Sequence, residues 1–174
     1  TVDIVGGTAT FSVAQPNNIG VGDEVTYGGT NTVFISGRTS PTVYTLQTAT
    51  GGIPADVSGA TVNSIMRAYN LLSDATTGSS DANHLNTSDL VAGNYQLNWT
   101  CYNDTDMTNT ATINGWTTGV SNYIKIYTPV TTSEVGVSQR HDGTWNSGFL
   151  LQGLNSSILT IQDDYVRVEG LRIQ

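Results

Sequence analysis

The segment ILTIQDDYVRVEGLRIQ, at residues 158–174, contains three short apolar-alternating runs that follow one another with almost no connecting sequence. Each run is too short for a helix, and its alternation lets one face be buried while the other is wetted. Asp163-Asp164 is a turn pair, and Gly170 allows a bend where a side chain would clash. Short strands with such corners predict a chain that coils around a narrow apolar core, as in a rung of a β-solenoid.

Two segments resemble rungs of a known architecture, the right-handed parallel β-helix of the pectin-lyase-like superfamily. They are YIKIYTP at residues 123–129 and LTIQDDYVRVEGLRIQ at residues 159–174, and the proteins they resemble most are large extracellular and surface proteins. The resemblance covers about residues 94–174, roughly half of the chain. It implies a parallel β-helix and an extracellular setting. It implies no activity, because this architecture hosts lyases, hydrolases, adhesins and structural fibres.

A suspected internal repeat supports the prediction of a β-solenoid. When Tyr123 is aligned with Tyr165, the offset is 165 − 123 = 42 residues, which corresponds to two rungs of about twenty residues each. The intervening rung is assigned to residues 134–138 and 148–152.

The first part of the chain has a different pattern. Residues 1–57 contain short strand-like runs separated by Gly- and Pro-rich turns, and VFISGRTSPTVYTL at residues 33–46 predicts a hairpin. Residues 58–93 are predicted to form one amphipathic helix, ending near Ser73, and a polar loop. The apolar stripe of that helix consists of Val62, Ile65, Met66, Tyr69 and Leu72.

The predicted fold class is therefore all-β. A parallel β-solenoid at residues 94–174 is preceded by a small antiparallel β-unit at residues 1–57 and by the helix within residues 58–93, which is expected to cap the first rung.

Composition and charge argue against nucleic acid and membranes as partners. The net charge is −8 and the chain has only six Lys and Arg residues, which disfavours nucleic acid and anionic membranes. No apolar run approaches the ~20 residues of a membrane-spanning helix, so no membrane insertion is expected. The single cysteine, Cys101, lies in an alternating run and is predicted to be a small buried hydrophobe.

The chain begins at Thr1 without a leader sequence, from which we expect either a removed signal or a piece of a longer protein. Low Lys content and abundant Thr, Ser and Asn favour an extracellular or cell-surface location. Four Asn-x-Ser/Thr triplets are candidate glycosylation sites, which have meaning only if the producing organism glycosylates asparagine. They begin at Asn86, Asn98, Asn103 and Asn155.

Two groups of residues are weak candidates for chemistry. Asp163 and Asp164 with Arg167 could supply the carboxylates for calcium and the base that a polysaccharide lyase needs, although Asp-Asp is also expected in a turn between strands. Asp104 and Asp106 alternate as calcium ligands do, but the run lacks the Gly turn and the later bidentate Glu of a calcium loop. We therefore expect no catalytic residue, no metal and no cofactor.

Two hypotheses about function follow. The first is a non-catalytic extracellular structural protein, a self-assembling filament or a surface-layer or adhesive subunit. Its partners would be copies of itself and, as a further candidate, a surface polysaccharide. Leu171 and Ile173 are the expected self-assembly residues, because the last run is still in strand pattern where the sequence stops. The alternative is a carbohydrate-active enzyme, a lyase or glycoside hydrolase of pectin-lyase-like fold, or its N-terminal portion.

Overall fold

The structure, a computed structural model, describes residues 1–104, 107–153 and 157–174. The chain divides into two compact units. Unit 1 comprises Thr1–Ala68 and Pro129–Ser138, and unit 2 comprises Tyr69–Thr128 and Gln139–Gln174.

Unit 1 contains one sheet of seven strands, and every pair of neighbouring strands in it is antiparallel. The hairpin predicted at residues 33–46 is confirmed as the antiparallel pair of the fourth and fifth strands. The strands are β1 (Val2–Val5), β2 (Thr8–Phe11), β3 (Asp23–Tyr27), β4 (Asn31–Arg38), β5 (Val43–Gln47), β6 (Val57–Ala60) and β7 (Val62–Arg67).

The strand order β6-β1-β2-β5-β4-β3-β7 makes this sheet barrel-like. Its two edge strands, β6 and β7, are consecutive in the chain and are separated only by Thr61. A sheet whose opposite edges are joined by one residue has to curl back on itself, so the barrel is nearly closed.

The interior of unit 1 follows from the alternation of its strands. In β1, for example, Val2 and Ile4 are buried while Asp3 and Val5 are exposed. Tyr44 is fully buried and packs edge-on against Phe11, with ring centroids 5.6 Å apart. The other buried apolar residues of this core are Ala9, Val25, Tyr27, Val33, Ile35 and Leu46.

One ion pair is buried beside this core. Asp23 on β3 lies opposite Arg67 on β7, and its carboxylate, which is fully buried, binds the guanidinium. The backbone N–H of Gly20 donates to the second carboxylate oxygen at 2.9 Å, and Arg67 also donates to the carbonyl of Asn18 at 2.9 Å. These bonds satisfy a charge that would be costly to bury alone.

In the residues that the structure describes, unit 2 contains two short helices and three small parallel sheets. No helix in the described parts of the chain has the length and apolar character needed to cross a membrane. The elements are α1 (Leu72–Gly78), α2 (Leu90–Gly93), β8 (Leu97–Thr100), β9 (Ala111–Ile113), β10 (Ile124–Tyr127), β11 (Leu150–Leu151), β12 (Leu159–Ile161), β13 (Val166–Glu169) and β14 (Arg172–Ile173).

The parallel sheets have the orders β13-β10-β8, β11-β14 and β12-β9. The predicted alignment of Tyr123 with Tyr165 agrees with the observed register, because Ile124 pairs with Val166 at the same offset, 166 − 124 = 42. Gly170 follows β13 with φ +75°, and an added Cβ would lie only 2.5 Å from Thr128 Oγ1. The corner after β13 therefore needs glycine for both reasons.

The core of unit 2 collects apolar side chains from all of these elements. The indole N–H of Trp99 donates to Ser79 Oγ at 2.8 Å, and the ring packs edge-on against Trp116. Cys101 is buried as predicted, and desolvation raises the pKa of its thiol to about 12. The other buried members of this core are Leu72, Ala75, Leu90, Ala111, Ile113, Ile124, Ile126, Phe149 and Leu151.

The predicted parallel β-solenoid is wrong as the fold of this chain, and the resemblance to the pectin-lyase-like superfamily is overturned with it. The main sheet is antiparallel and barrel-like, and the parallel sheets of the described residues are small, with three, two and two strands. The physical reason is that alternation shows which face of a strand is buried but carries no information on the direction of its neighbour.

The predicted capping helix is also wrong. Val62, Ile65 and Met66 belong to strand β7, which pairs with β3, and Met66 is 55 % exposed. The spacing of the apolar residues fits a helix, but Val and Ile are stiff β-branched residues, and pairing with β3 outweighs the helical pattern. The helix of this region begins at Leu72, where the predicted one was expected to end.

Residues 134–138 do not form an intervening rung between β10 and β13. They lie in unit 1, where Val135 forms a bridge with Gly20 and the carbonyl of Glu134 accepts from the N–H of Val21 at 2.9 Å. Residues 148–152 do contain a parallel strand, β11, which pairs with β14.

Candidate functional site

The most distinctive surface of unit 2 is formed by strands β12, β13 and β14, which we call the open edge. In the described parts of the chain each of these strands has a parallel neighbour on one side only. β12 pairs with β9, β13 pairs with β10, and β14 pairs with β11. Each strand therefore presents backbone groups and side chains on the side that no described strand covers.

Apolar side chains on the open edge continue the rows of the core. Ile161 is in register with Ile113, Val168 with Ile126, and Ile173 with Leu151. The three residues on the inner strands are fully buried. Their counterparts on the open edge have exposed fractions of 44 %, 38 % and 50 % for Ile161, Val168 and Ile173. The open edge is thus an apolar layer with a core-like pattern that is only half covered.

The backbone of β13 directs hydrogen-bonding groups out of this edge. The carbonyls of Tyr165 and Glu169 accept from the N–H groups of Ile124 and Thr128 at 3.2 and 3.3 Å. In a parallel ladder every second residue bonds to a given neighbour, so residues 165, 167 and 169 face β10. The N–H and C=O of Val168 consequently point to the opposite side, away from β10.

The outward face of the same sheet is polar and charged. The guanidinium of Arg167 stacks over the ring of Tyr123, 3.7 Å from its centroid, and Lys125 binds Glu169 at 3.0 Å. Lys125 also lies 4.3 Å from the ring centroid of Tyr127. This face is solvated, and its ion pair contributes little to stability because it is screened by water.

The residues considered for a lyase site have structural contacts. The two carboxylate oxygens of Asp163 accept from the backbone N–H groups of Gly115 and Trp116 at 3.0 and 3.1 Å. The carbonyl of Asp164 accepts from Thr118 Oγ1 at 2.7 Å. Asp163 therefore holds the backbone at Gly115 and Trp116, and Arg167 stacks on Tyr123.

The calcium hypothesis concerned Asp104 and Asp106. Asp104 is exposed, and Asp106 lies outside the described residues. Among residues 1–104, 107–153 and 157–174, no three His, Cys, Asp or Glu side chains are grouped closely enough to hold a metal ion.

The candidate glycosylation sites are accessible where the structure describes them. Asn86, Asn98 and Asn103 are exposed, while Asn155 lies outside the described residues. Asn98 is on β8 and accepts a hydrogen bond from Gln96 at 2.8 Å.

One polar pair in unit 2 was not predicted. His84 Nδ1 lies 2.7 Å from Asp81 Oδ1, and this hydrogen bond holds the pKa of Asp81 below its usual value. The imidazole also packs on Tyr69, with ring centroids 5.0 Å apart. The spacing of three residues in a polar loop is the only signal in the sequence, and it is common in turns. The pair orders the loop after α1.

Self-assembly through Leu171 and Ile173 was the remaining prediction about sites. Ile173 lies on the open edge and is half exposed, whereas Leu171 is partly buried and packs against the core of unit 2. Ile161 and Val168 were not predicted as edge residues, because the alternation of apolar and polar residues around them is the same as in the buried strands.

Comparisons of the chain with protein-family models, with curated proteins and with solved structures found no match.

Proposed function

We propose that the protein is a non-catalytic structural protein of the extracellular space or cell surface that associates with further copies of itself. The observation that carries this proposal is the open edge, where Ile161, Val168 and Ile173 continue buried rows but are 38–50 % exposed. Exposed strand edges with apolar side chains pair readily with other strands, and proteins that act alone usually protect them with charges, Pro or a covering element.

The composition of β13 supports a second copy of this protein as the partner that covers the open edge. β13 carries one cation, Arg167, and one anion, Glu169, so an identical strand offers both complementary charges. Nucleic acid is disfavoured as a partner by the net charge of −8. A surface polysaccharide remains a candidate for the solvated outward face.

The carbohydrate-active enzyme is the weaker proposal. A lyase needs a free base beside calcium-binding carboxylates. Asp163 accepts two backbone hydrogen bonds, and Arg167 stacks on Tyr123, so both residues already have structural roles.

Replacing Val168 by lysine is expected to abolish self-association. The substitution places a charge in the apolar layer of the open edge, where a paired strand would desolvate it. In sedimentation velocity over a concentration series, the wild-type protein should show a rising weight-average sedimentation coefficient, and Val168→Lys should stay monomeric.

The matched control is Val120→Lys, because Val120 lies in the same unit, is 73 % exposed and is outside the open edge. This variant should associate like the wild type. Equal association of the Val168 and Val120 variants would contradict the proposal, provided both retain the wild-type circular dichroism spectrum.

The protein is expected to leave uronate polymers intact. Incubation with polygalacturonate or alginate, with and without calcium, should produce no unsaturated product that absorbs in the ultraviolet and no new reducing ends. If activity appeared and was lost in Asp163→Ala or Arg167→Ala, the enzyme alternative would replace the structural one.

A further inference from the structure

We infer that the open edge forms a two-fold symmetric contact in which β13 pairs antiparallel with β13 of a second copy, centred on Val168. The inference rests on the proposed self-association and assigns its register. In this register Val168 lies opposite Val168 of the second copy. Arg167 of each copy lies opposite Glu169 of the other, which gives two charge pairs.

The backbone of β13 selects the possible registers. Residues 165, 167 and 169 bond towards β10, so Val166 and Val168 direct their N–H and C=O groups outward. An antiparallel self-pair satisfies these outward groups when it is centred on a residue, because outward-facing residues then lie opposite each other. Centring on Arg167 would place the two Arg167 side chains directly opposite each other, and like charges destabilise such a pair. Centring on Val168 makes a reciprocal pair of N–H···O=C bonds between the two Val168 residues. Centring between Arg167 and Val168 would instead pair outward-facing residues with residues already bonded to β10.

The charges of β13 agree with the centre on Val168. Positions 167 and 169 are symmetric about 168, so an antiparallel copy brings each Arg167 directly opposite a Glu169. Directly opposite residues of unlike charge stabilise antiparallel pairs, and like charges destabilise them. Glu169 can retain Lys125 at 3.0 Å while it accepts from the second copy, because its carboxylate has two oxygens. A centre on Val166 would place Arg167 opposite Tyr165 and lose both charge pairs.

The side chains on the other face favour the same contact. Val168 shares its row with the buried Ile126, so a paired copy extends that row and covers the exposed 38 % of the side chain. A two-fold contact uses the same patch on both molecules and closes after two copies. The open edge by itself therefore yields a dimer, and a filament would need a second contact surface elsewhere.

Two charge-reversal variants test the register. Arg167→Glu carries two acidic residues on β13, and Glu169→Arg carries two basic ones, so each variant alone places like charges opposite each other twice. We expect the dimer dissociation constant of each variant to rise by about tenfold or more. An equimolar mixture should regain association, because both acidic side chains of the Arg167→Glu strand then lie opposite the two basic side chains of the Glu169→Arg strand.

The results separate the register from the proposed function. If the wild-type protein is monomeric at every concentration in sedimentation velocity, the proposed self-association and the register both fail. If the wild type associates but the single variants associate equally well, or their mixture is no tighter than either alone, the register is wrong while self-association stands.

Cysteine variants give a second readout that does not depend on charge. Residues 167 and 169 of the two copies would form a non-hydrogen-bonded pair with Cα atoms about 4.5 Å apart, which suits a disulfide. Mixing Arg167→Cys with Glu169→Cys under mild oxidation should give mainly the mixed disulfide dimer. Predominance of the two homodimers would overturn the register. The native Cys101 is buried and serves as the unreactive reference in the wild type.

Discussion

Replacing Arg67 by methionine is expected to lower the free energy of unfolding by about 3–5 kcal/mol, since it leaves the carboxylate of Asp23 buried without its guanidinium. Asp23 is fully buried, and the hydrogen bond that it accepts from the N–H of Gly20 does not neutralise its charge. Urea unfolding followed by far-ultraviolet circular dichroism measures the change.

A double variant isolates the charge from the packing. Asp23→Asn combined with Arg67→Met removes both charges and keeps an amide oxygen that can accept from Gly20, so it should recover much of the lost stability. The control is Lys125→Met, which breaks the exposed pair with Glu169 and should cost no more than about 1 kcal/mol. An Arg67→Met protein as stable as the wild type would show that the buried pair does not hold β3 to β7.

Truncating Ile126 to alanine is expected to destabilise unit 2 by about 2–5 kcal/mol, because Ile126 is fully buried and its removal leaves a cavity. Val168→Ala, one strand away in the same row, should cost less than about 1 kcal/mol at low protein concentration, where the open edge is uncovered. All three tryptophans lie in unit 2, so their fluorescence during urea unfolding reports on this unit.

The comparison between Ile126→Ala and Val168→Ala tests whether the edge is open in the monomer. Raising the protein concentration should increase the cost of Val168→Ala, because association adds stability that depends on this side chain. A Val168→Ala variant that is as unstable as Ile126→Ala in dilute solution would mean that the edge is already covered within one chain.

Short strands could be predicted from the sequence because their alternation is local. The runs at residues 123–127 and 165–169 were aligned at an offset of 42, and β10 and β13 pair in that register. Alternation, however, is the same in parallel and antiparallel sheets. The barrel-like closure of unit 1 depends on β6 and β7 reaching opposite sheet edges across Thr61, which is a property of the assembled sheet.

Two other predictions were wrong because the observed structure depends on contacts between residues that are far apart in the chain. Residues 62–67 match a helical stripe, but their pairing with β3 is 35 or more residues distant in the chain and leaves no local mark. Residues 134–138 belong to unit 1 because they contact Asn17 and Gly20, and no local sequence pattern predicts these contacts. Propensity is a weak guide wherever such tertiary pairing competes with it.

The candidate site was predictable in part. Leu171 and Ile173 were predicted together as self-assembly residues; Ile173 lies on the open edge, whereas Leu171 packs against the core. Asp163-Asp164 was expected as a turn, and Asp163 binds the backbone of Gly115 and Trp116. The exposure of Val168 could not be predicted, because its local sequence pattern equals that of the buried Ile126 and only the set of neighbouring strands distinguishes them.

Amide hydrogen exchange at Val168 measures directly whether a second copy covers the open edge. The N–H of Val168 points out of the open edge and should exchange quickly in dilute protein, whereas the N–H groups that bond β13 to β10 should be protected. We predict that protection of the Val168 N–H rises with protein concentration in parallel with association, and that this added protection is lost in variants that change a neighbouring charge, such as Arg167→Glu. Association without added protection at Val168, or protection that is already complete in the dilute monomer, would contradict this prediction.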